Sequence, residues 1–367
     1  MLLQRTPGSA NARLSTARFP FDDRKMNFKS DNEAPAHPAM IEAITQANEG
    51  YAAAYSEDSW SRDLDGRFSE LFETDCRVLP IATGTAVNSI AIAELSPPWG
   101  AVMCHQLAHI HTSENGAPEF YSGGAKLVPL PGENGLLEAD RLARAIDAAG
   151  RHGVHNVKPS VVSITQATEC GTVYSPAAIS AIAAITHERG LHLHMDGARF
   201  ANAVTSLGCT PAEITWKAGV DVLSFGLTKS GALGAEAIVV FNHPEWIEGM
   251  ERRRKRGGHL LSKMRYVSTQ LLAMLDADLW LELGRQANAR AAELARGIEN
   301  SSNASLHWPV EANEVFMKAS PETLARLKSA GFEFHVWPGH DDLARLVCSW
   351  ATSEEKVRQF LETLNSR

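Results

Sequence analysis

The sequence predicts an α/β protein with a mostly parallel sheet and a smaller α+β domain at its C-terminus. Short apolar runs alternate with amphipathic helical stretches from about residue 77, a long helical stretch follows at about 265–300, and the rhythm then changes to strand-like segments. Strands that alternate with helices are typical of a parallel sheet covered on both faces. We divide the chain into an N-terminal arm (1–27), a large domain with its N-terminal segment (28–265), and a helical connection with the small domain (266–367).

The large domain is defined by short aliphatic runs, which predict strands, and by longer periodic stretches, which predict helices. The predicted strands are Arg77–Ala82, Ala101–Cys104, Lys126–Leu130, Ser160–Thr165, Leu191–Met195, Val220–Phe225 and Ala237–Phe241. The predicted helices are Val87–Leu95, Leu136–Ala149 and Pro176–Arg189. In such a sheet the ligand crevice lies at the carboxyl ends of the strands.

The two ends of the chain differ from this pattern. The C-terminal part predicts strands at Val315–Lys318, Phe332–Trp337 and Leu343–Trp350 and helices at Pro321–Ala330 and Glu354–Leu364. Residues 1–25 carry four arginines and no long apolar stretch, which excludes a secretory signal. We expect a disordered arm, with Met26 as an alternative start of the working chain.

Composition narrows the function classes. The apolar share of 44% is ordinary for a globular protein with a sizeable core. The formal net charge of −8 argues against a nucleic acid or an anionic membrane as a partner. The five cysteines are widely spaced and form no C-x-x-C pair, which indicates a reducing compartment, and we expect a cytoplasmic protein. No apolar run approaches the ~18 residues of a transmembrane helix.

Two polar residues follow neighbouring predicted strands and should face one crevice. Asp196 can keep a pyridine nitrogen protonated, which makes the ring an electron sink, and the small Gly197 and Ala198 let backbone approach a flat ring. Lys229 follows the next strand, where its amine can form an imine with an aldehyde. A lone lysine after a strand is usually solvated, but its pairing with Asp196 favours a pyridoxal-phosphate site.

A third feature is the segment Thr83-Gly84-Thr85 between a predicted strand and a helix. Glycine at such a turn exposes backbone N–H groups at a helix N-terminus, and Thr85 adds a hydroxyl. By itself the segment is equally compatible with a turn and a helix cap. Together with Asp196 and Lys229 it predicts the phosphate end of the same site.

Taken together and in order, these motifs resemble the threonine aldolase family of fold-type I pyridoxal-phosphate enzymes, in particular its low-specificity L-threonine aldolase and phenylserine aldolase branch. The resemblance runs from about Phe28 to the C-terminus. The motifs that carry it are Ser30–Asn32, Tyr55–Asp58, Thr83–Thr85, Ala108-His109, Asp196–Arg199, Thr228-Lys229 and Arg345–Trp350.

The resemblance implies an aspartate aminotransferase-like large domain and pyridoxal 5'-phosphate as cofactor. It implies retro-aldol cleavage of L-threonine, L-allo-threonine and other β-hydroxy-α-amino acids, such as phenylserine, to glycine and an aldehyde. It also implies a homo-oligomer, either a dimer whose subunits share active sites or a tetramer.

The resemblance assigns roles to the cofactor residues. Lys229 is similar to the Schiff-base lysine and Asp196 to the partner of the pyridinium nitrogen. His109 matches a histidine that stacks on the cofactor ring near the substrate β-hydroxyl. Gly84 and Thr85 match the phosphate turn.

Further roles concern the substrate. Arg345 matches the arginine of the small domain that binds the substrate carboxylate, with Ser30 helping it. Arg199 matches an arginine near the cofactor's phenolic oxygen and the same carboxylate, and Tyr55 is a further substrate-binding candidate. A planar guanidinium suits a carboxylate because it donates two parallel hydrogen bonds.

The basic run Arg252–Arg256 predicts either a solvated helix face or an anion site. In the family a neighbouring subunit contributes a basic residue to the cofactor phosphate. Lys255, Arg256 and Lys263 are the candidates for that residue here.

One departure from the family concerns the β-hydroxyl. Part of the family has a histidine in the segment that here runs Gln166–Gly171, and Glu169 takes its place. Proton removal from the hydroxyl must then be done by Glu169, by a water, or by His109 alone.

Three alternative functions are each compatible with part of the sequence. His192 and His194 share one side of a strand, as metal ligands do in some hydrolases, but a metal-dependent hydrolase leaves Lys229 and Arg345 without a role. A second set of histidines, His105, His109 and His111, could also suggest a metal site, but their spacing does not place them on one helical or strand face. A second alternative is a regulator or carrier that merely binds the cofactor, but the sequence shows no basic DNA-binding appendage, as a regulator would have. Within the cofactor class the alternative is a β-eliminating amino-acid lyase, and the small turn Asp196–Arg199 favours the aldolase.

Overall fold

Seven strands form the central sheet of the computed structural model, which describes residues 26–366. The predicted arm at residues 1–25 lies outside the described residues. Met26 and Asn27, the last residues assigned to that arm, form a short strand that pairs in parallel with Phe332 and Glu333.

The strands and helices follow one another along the whole described chain. The strands are β1 (Met26–Asn27), β2 (Cys76–Ile81), β3 (Gly100–His105), β4 (Lys126–Leu130), β5 (Lys158–Thr165), β6 (His192–Gly197), β7 (Val222–Gly226), β8 (Glu236–Phe241), β9 (Ala304–Leu306), β10 (Glu314–Ala319), β11 (Phe332–Glu333), β12 (His335–Val336) and β13 (Leu343–Val347). The helices are α1 (Pro38–Ala47), α2 (Ser59–Phe72), α3 (Gly84–Leu95), α4 (His109–Thr112), α5 (Ala117–Ser122), α6 (Ala139–Ala149), α7 (Pro176–Glu188), α8 (Phe200–Leu207), α9 (Ile247–Arg256), α10 (Arg265–Leu275), α11 (Leu279–Glu299), α12 (Pro321–Ser329) and α13 (Glu354–Asn365).

The central sheet has the strand order β2-β8-β7-β6-β5-β3-β4 and is mostly parallel, as predicted. Strands β3 to β7 run parallel to their neighbours, whereas β8 is antiparallel to both β7 and β2. Because β8 runs the other way, its first residue, Glu236, pairs with Gly226 at the end of β7. Glu236 therefore lies at the edge where the parallel strands end.

Helices cover both faces of this sheet, which explains why its strands are almost wholly apolar. Residues of α2, α7, α8, α10 and α11 share one buried cluster with one face of the strands. Residues of α3 and α9 form a second cluster on the other face. Strands β3 and β8 are buried along their whole length.

The small domain is built on the antiparallel sheet β12-β13-β10-β9. Its core includes Phe28, which packs against Phe332 and Phe360 with ring centroids 6.3 and 5.4 Å away. Phe28 therefore belongs to the core of the small domain, whereas Asp31 in the same segment binds Arg199 of the large domain. The division of the chain into domains stays a prediction.

Two of the predicted elements are divided in the structure. The expected long helix at about 265–300 is broken at Ala277 and Asp278, whose φ values of 50° and 56° leave the right-handed helical region. The expected strand Phe332–Trp337 is two short strands, because β11 pairs with β1 and β12 pairs with β13. None of the described helices is long and apolar enough to cross a membrane.

Candidate active site

A cavity of about 300 Å³ opens at the edge of the sheet where the parallel strands end. The ends of β5, β6 and β7 contribute Thr165, Asp196 and Ser224 to its wall. The predicted site residues that line it are Gly84, Thr85, His109, Glu169, Asp196, Arg199 and Lys229. Its other lining residues are Asn32, Ala82, Thr83, Val87, Asn88, Glu114, Thr165, Ala167, Ala198, Ser224, Thr228 and Glu236.

Asp196 lies within β6 and is only 3% exposed. Its Oδ2 accepts a hydrogen bond from Asn88 Nδ2 at 2.8 Å, and its Oδ1 accepts one from the Ala198 backbone N–H at 3.0 Å. These two donors fix the orientation of the carboxylate. Gly197 is required by the packing of the sheet, because a Cβ there would lie 2.8 Å from both the Leu223 side chain and the Ser224 carbonyl.

Lys229 lies in the short 3-10 turn that follows β7. Among the described residues its Nζ has no hydrogen-bond or ion-pair partner, although it lines the cavity. Burial lowers the pKa of Lys229, and the neighbouring Arg199 guanidinium acts in the same direction. A lowered pKa favours the neutral amine, which is the form that attacks a carbonyl carbon.

The turn between β2 and α3 forms another wall of the cavity. Helix α3 begins at Gly84, and the side chain of its N-cap residue, Thr83, makes no capping bond. A Cβ on Gly84 would meet no atom within 4 Å, so the space beside this helix end is open. Free N–H groups beside open space suit an anion.

His109 is the first residue of α4 and is held by two carboxylates. Its Nδ1 lies 2.9 Å from Glu114 Oε1, and its backbone N–H donates to Glu169 Oε1 at 2.7 Å. The hydrogen bond to Glu114 raises the pKa of His109 above its ordinary value, against the opposing effect of burial. The other ring nitrogen, Nε2, has no partner among the described residues.

Glu169 places a carboxyl group against the same histidine. Its Oε1 also accepts from Thr165 Oγ1 at 2.9 Å, and its buried Oε2 has no hydrogen-bond partner among the described residues. Burial, followed by the nearby charge of Asp196, raises the pKa of Glu169 to about 7. Near neutral pH this carboxyl can therefore take up or release a proton.

Four charged side chains form a cluster beside the cavity, which we call the rim cluster: Asp31, Arg199, Glu314 and Arg345. Arg199 donates from Nε and Nη2 to Asp31 at 2.8 and 3.0 Å, and its Nη1 lies 3.2 Å from Glu314 Oε2. Arg345 donates from Nε and Nη2 to Glu314 Oε1 at 2.8 and 2.6 Å. Burial acts to raise the pKa of Asp31, but Arg199 and Lys229 hold it below its ordinary value.

This cluster differs from the expectation that both arginines face a substrate carboxylate. Arg199 lines the cavity, whereas Arg345 does not line it and pairs with Glu314. Within the described chain, Arg345 Nη1 has no hydrogen-bond acceptor. The assigned roles of both arginines stay predictions.

Five other predicted residues lie outside the cavity lining: Ser30, Tyr55, Lys255, Arg256 and Lys263. Ser30 Oγ caps the turn Asp31–Glu33 by accepting from the Asn32 backbone N–H at 3.1 Å. Tyr55 is 48% exposed, and Lys255 Nζ lies 4.3 Å from the centre of its ring. Arg256 and Lys263 are exposed.

Most side chains of the basic run Arg252–Arg256 interact with neighbouring protein groups. Arg252 pairs with Glu248, and Arg253 lies 3.2 Å from Glu94. Arg254 is buried and donates to the Pro80 carbonyl at 3.2 Å.

Three of the histidines considered as metal ligands, His105, His109 and His194, lie within hydrogen-bond distance of other protein groups. His194 lies between Ser163 Oγ at 2.9 Å and Ser224 Oγ at 2.8 Å, and burial lowers its pKa to about 4. His105 Nδ1 accepts from the Leu107 backbone N–H. Residues 26–366 contain no group of three or more histidine, cysteine, aspartate or glutamate side chains that could hold a metal ion.

Five polar residues in or beside the cavity were not identified from the sequence: Asp31, Asn88, Glu114, Glu236 and Glu314. Two of them had a usable signal. Asn88 lies four residues after Gly84 and so on the same face of α3, and Asp31 lies inside the motif Ser30–Asn32. Glu314 had none, because its pairing with Arg345 joins two strands far apart in the chain.

The sequence of this chain is similar to those of known enzymes. The family model for beta-eliminating lyases matches residues 27–320. A low specificity L-threonine aldolase of Pseudomonas aeruginosa is 44% identical over 338 residues, which are 92% of this chain and 96% of that protein. A low specificity L-threonine aldolase of Escherichia coli is 25% identical over 89% of this chain and 98% of that protein.

Solved structures show the same fold. A threonine aldolase of Leishmania major matches with a TM-score of 0.85 and 31% identity, covering 92% of this chain and 98% of that one. A single mutant of Thermus thermophilus aspartate aminotransferase matches with a TM-score of 0.70 and 18% identity, covering 93% and 91% of the two chains, and this likeness shows the fold alone. The predicted fold class is confirmed.

Proposed function

This chain belongs to the threonine aldolases of the beta-eliminating lyase family, and on that premise we propose that it is a pyridoxal-phosphate-dependent aldehyde-lyase. Its substrates are L-threonine, L-allo-threonine and related β-hydroxy-α-amino acids such as phenylserine, and its products are glycine and an aldehyde. One observation carries the proposal: an unpaired lysine amine, an oriented aspartate and an open helix N-terminus converge on one cavity.

The donor set of the cavity fits the proposed cofactor. Lys229 would hold the aldehyde carbon through its unpaired amine, and Asp196 would accept from the pyridine nitrogen. The uncapped N–H groups at the start of α3, from Thr83 to Thr85, would bind the phosphate. When bound, pyridoxal phosphate supplies an electron sink for a bond broken at the substrate Cα.

Substrate binding falls to the rim of the cavity. Arg199 and Arg345 are our candidates for the substrate carboxylate, with Ser30 and Tyr55 as further contacts. Arg345 has one guanidinium nitrogen free of protein partners, while Glu314 holds the other two. Two anchors on one carboxylate set the direction of the bond to be broken, which is the main contribution that positioning makes to such a reaction.

We assign proton transfer to two other residues that line the cavity. His109 and Glu169 each present an atom without a protein partner, Nε2 and Oε2, among the described residues. Either group can accept the β-hydroxyl proton in its unprotonated form, and that acceptance lets the Cα–Cβ bond break. We propose His109 as the base, with Glu169 as the alternative.

We further propose a homo-oligomer, a dimer or tetramer, in the cytoplasm. Besides His109, the cationic residues that line the cavity within the described chain are Lys229 and Arg199, and both have other roles. A phosphate therefore lacks a dedicated cation within one chain, which supports a contribution from Arg256, Lys263 or Lys255 of a neighbouring subunit. All five cysteines are free, as in a reducing compartment.

The test is a panel of the threonine, allo-threonine and phenylserine isomers, assayed for glycine and aldehyde. We expect a yellow protein that releases both products in equal amounts from the L isomers. A yellow protein without turnover of any β-hydroxy amino acid would favour a carrier or regulator instead.

A second candidate is β-elimination, which the description of the matching family model favours. Elimination from the same substrates releases ammonia and a keto acid and produces no glycine. Measuring ammonia beside glycine in the same panel therefore separates the two reactions.

A further inference from the structure

We infer that Glu114 is a positioning residue that holds the His109 imidazole with Nδ1 protonated, so that Nε2 is free to accept a proton in the cavity. This inference rests on the proposed function, because it concerns the proposed base of that reaction. It adds a residue that the sequence motifs did not indicate.

The contact between the two residues joins a buried group to an open one. His109 Nδ1 lies 2.9 Å from Glu114 Oε1, and the Glu114 side chain has no exposed surface, whereas 43% of the His109 side chain is exposed. Both residues line the cavity, but only the imidazole is substantially exposed. This is the arrangement of a base that is oriented by a third group.

Asn88 decides which ring nitrogen carries the proton. Its Nδ2, which is a donor, lies 2.9 Å from Glu114 Oε1. The oxygen Oε1 therefore accepts, and it accepts from His109 Nδ1–H as well. In the neutral imidazole the lone pair then resides on Nε2.

The same amide joins this pair to the floor of the site. Asn88 Nδ2 also donates to Asp196 Oδ2 at 2.8 Å. We call the chain Asp196, Asn88, Glu114 and His109 the floor network. One amide thus sets the position of the base relative to the carboxylate proposed for the pyridine nitrogen.

Four charged side chains lie around His109. Glu114 and Asp196 stabilise the protonated ring, and Lys229 opposes them. Glu169 contacts the backbone N–H of His109. Since the hydrogen bond to Glu114 is the largest effect on the pKa of His109 and raises it, removal of the Glu114 charge should lower that pKa.

Two substitutions separate charge from orientation. Glu114→Gln keeps an acceptor oxygen but removes the charge, so the pKa of His109 should fall and the acid limb of kcat/KM should move to lower pH. Glu114→Ala removes the acceptor, so the ring loses its fixed tautomer and kcat should fall on the order of 10²–10⁴-fold. If Glu114→Ala does not fold, Glu114→Asp makes the same test, because it keeps the charge but shortens the reach.

The pKa of His109 should be measured directly by NMR titration of the histidine rings without substrate, with the signal assigned by its loss in His109→Asn. Glu245→Gln is the matched control, because His243 Nδ1 lies 2.9 Å from Glu245 Oε1 on the exposed surface. The control should leave the His109 titration and turnover unchanged.

An unchanged His109 titration in Glu114→Gln would overturn the inference, as would wild-type turnover in Glu114→Ala. Failure of the wild-type protein to release glycine would instead overturn the proposed function. The NMR titration gives its result in either case, so the two failures are distinguishable.

Discussion

The two polar networks beside the cavity are built from similar residue types but differ in how they hold charge. The rim cluster joins two carboxylates to two guanidiniums, and the pKa of Asp31 lies below its ordinary value. In the floor network and the adjoining Glu169, burial and neighbouring carboxylates dominate, and the pKa values of Glu114 and Glu169 lie above their ordinary values.

The difference follows from the available cations. Each carboxylate of the rim cluster faces a permanently charged guanidinium, which stabilises the anion. The carboxyls of the floor face an amide, a histidine and one another. The rim cluster can therefore keep fixed charges for binding, whereas Glu169 beside the floor network, with a pKa of about 7, can exchange a proton near neutral pH.

The largest effect should come from a residue that belongs to neither network. Lys229→Ala removes the amine proposed to hold the cofactor, and neither network contains a nucleophile to replace it. We expect loss of the yellow colour and of measurable turnover. Borohydride should fix the cofactor to Lys229 in the wild-type protein, as shown by mass spectrometry.

Lys217→Ala is the control for this substitution, since Lys217 lies at the surface and pairs with Glu73 at 2.6 Å. It should retain colour and activity. Fixation of the cofactor on another lysine would contradict the assignment.

The next largest effect should come from His109, the proposed base. His109→Phe keeps a stacking ring but removes the base, and loss of a general base costs typically ~10²–10⁴-fold in rate. If His109→Phe instead retains most of the turnover, Glu169 becomes the candidate. The wild-type rate should then fall below pH 7, because the pKa of Glu169 is about 7 and only its ionised form accepts a proton.

Glu169→Gln decides between the two bases. It should remove that acid limb if Glu169 is the base and leave it in place if His109 is. Full activity in both His109→Phe and Glu169→Gln would leave a bound water as the base and would contradict our assignment.

A smaller effect is expected from the fixed-charge side. Arg345→Lys replaces a planar donor by a point charge, and loss of one charge-assisted hydrogen bond costs about 1.5–3 kcal/mol, or roughly ten- to a hundredfold in kcat/KM. Colour should be retained. Steady-state kinetics on L-threonine measure this, with the exposed Arg358→Lys as control.

The smallest effect concerns the free energy of unfolding, and it should have opposite signs for Glu169 and for Asp31 of the rim cluster. The folded pKa of Glu169 is raised from 4.5 to about 7, so the folded state is penalised when this carboxyl ionises as pH rises through that window. Glu169→Gln should therefore stabilise the protein on the order of 1–3 kcal/mol at pH 8 and much less at pH 4. Denaturant unfolding at the two pH values measures this.

Asp31→Asn should do the reverse. Its folded pKa is lowered, so its contribution is present above the unfolded pKa and is lost as pH falls through the folded pKa. Removing the charge should destabilise the protein at pH 8 and matter less in acid. Equal signs for Asp31→Asn and Glu169→Gln would refute the distinction between the networks.

Much of the site was accessible from the sequence because its residues follow strands. Asp196 and Lys229 follow consecutive predicted strands, and the carboxyl ends of parallel strands meet at one edge, so their convergence could be predicted. Gly84 and Thr85 were found for the same reason. The family motifs added His109 and Arg199, and both line the cavity.

The small domain was harder to predict because its segments choose partners across long distances. The strand expected at Phe332–Trp337 is split, since its first part pairs with β1 and its last part with β13. Arg345 was correctly placed on a strand, but its partner Glu314 is 31 residues away on the neighbouring strand.

The sequence by itself determined the class of fold and the group of residues that meet at the sheet edge, because periodicity and strand-to-helix turns are local properties of the chain. The family followed from the resemblance of its short motifs. Only the tertiary structure decided the hydrogen-bond partners of the floor network and the ion pairs of the rim cluster. Burial of Glu114, the bridging amide of Asn88 and the pairing of Glu314 with Arg345 all depend on which distant segments pack together. Desolvation and charge pairing, unlike helical or strand periodicity, exist only after the chain has folded.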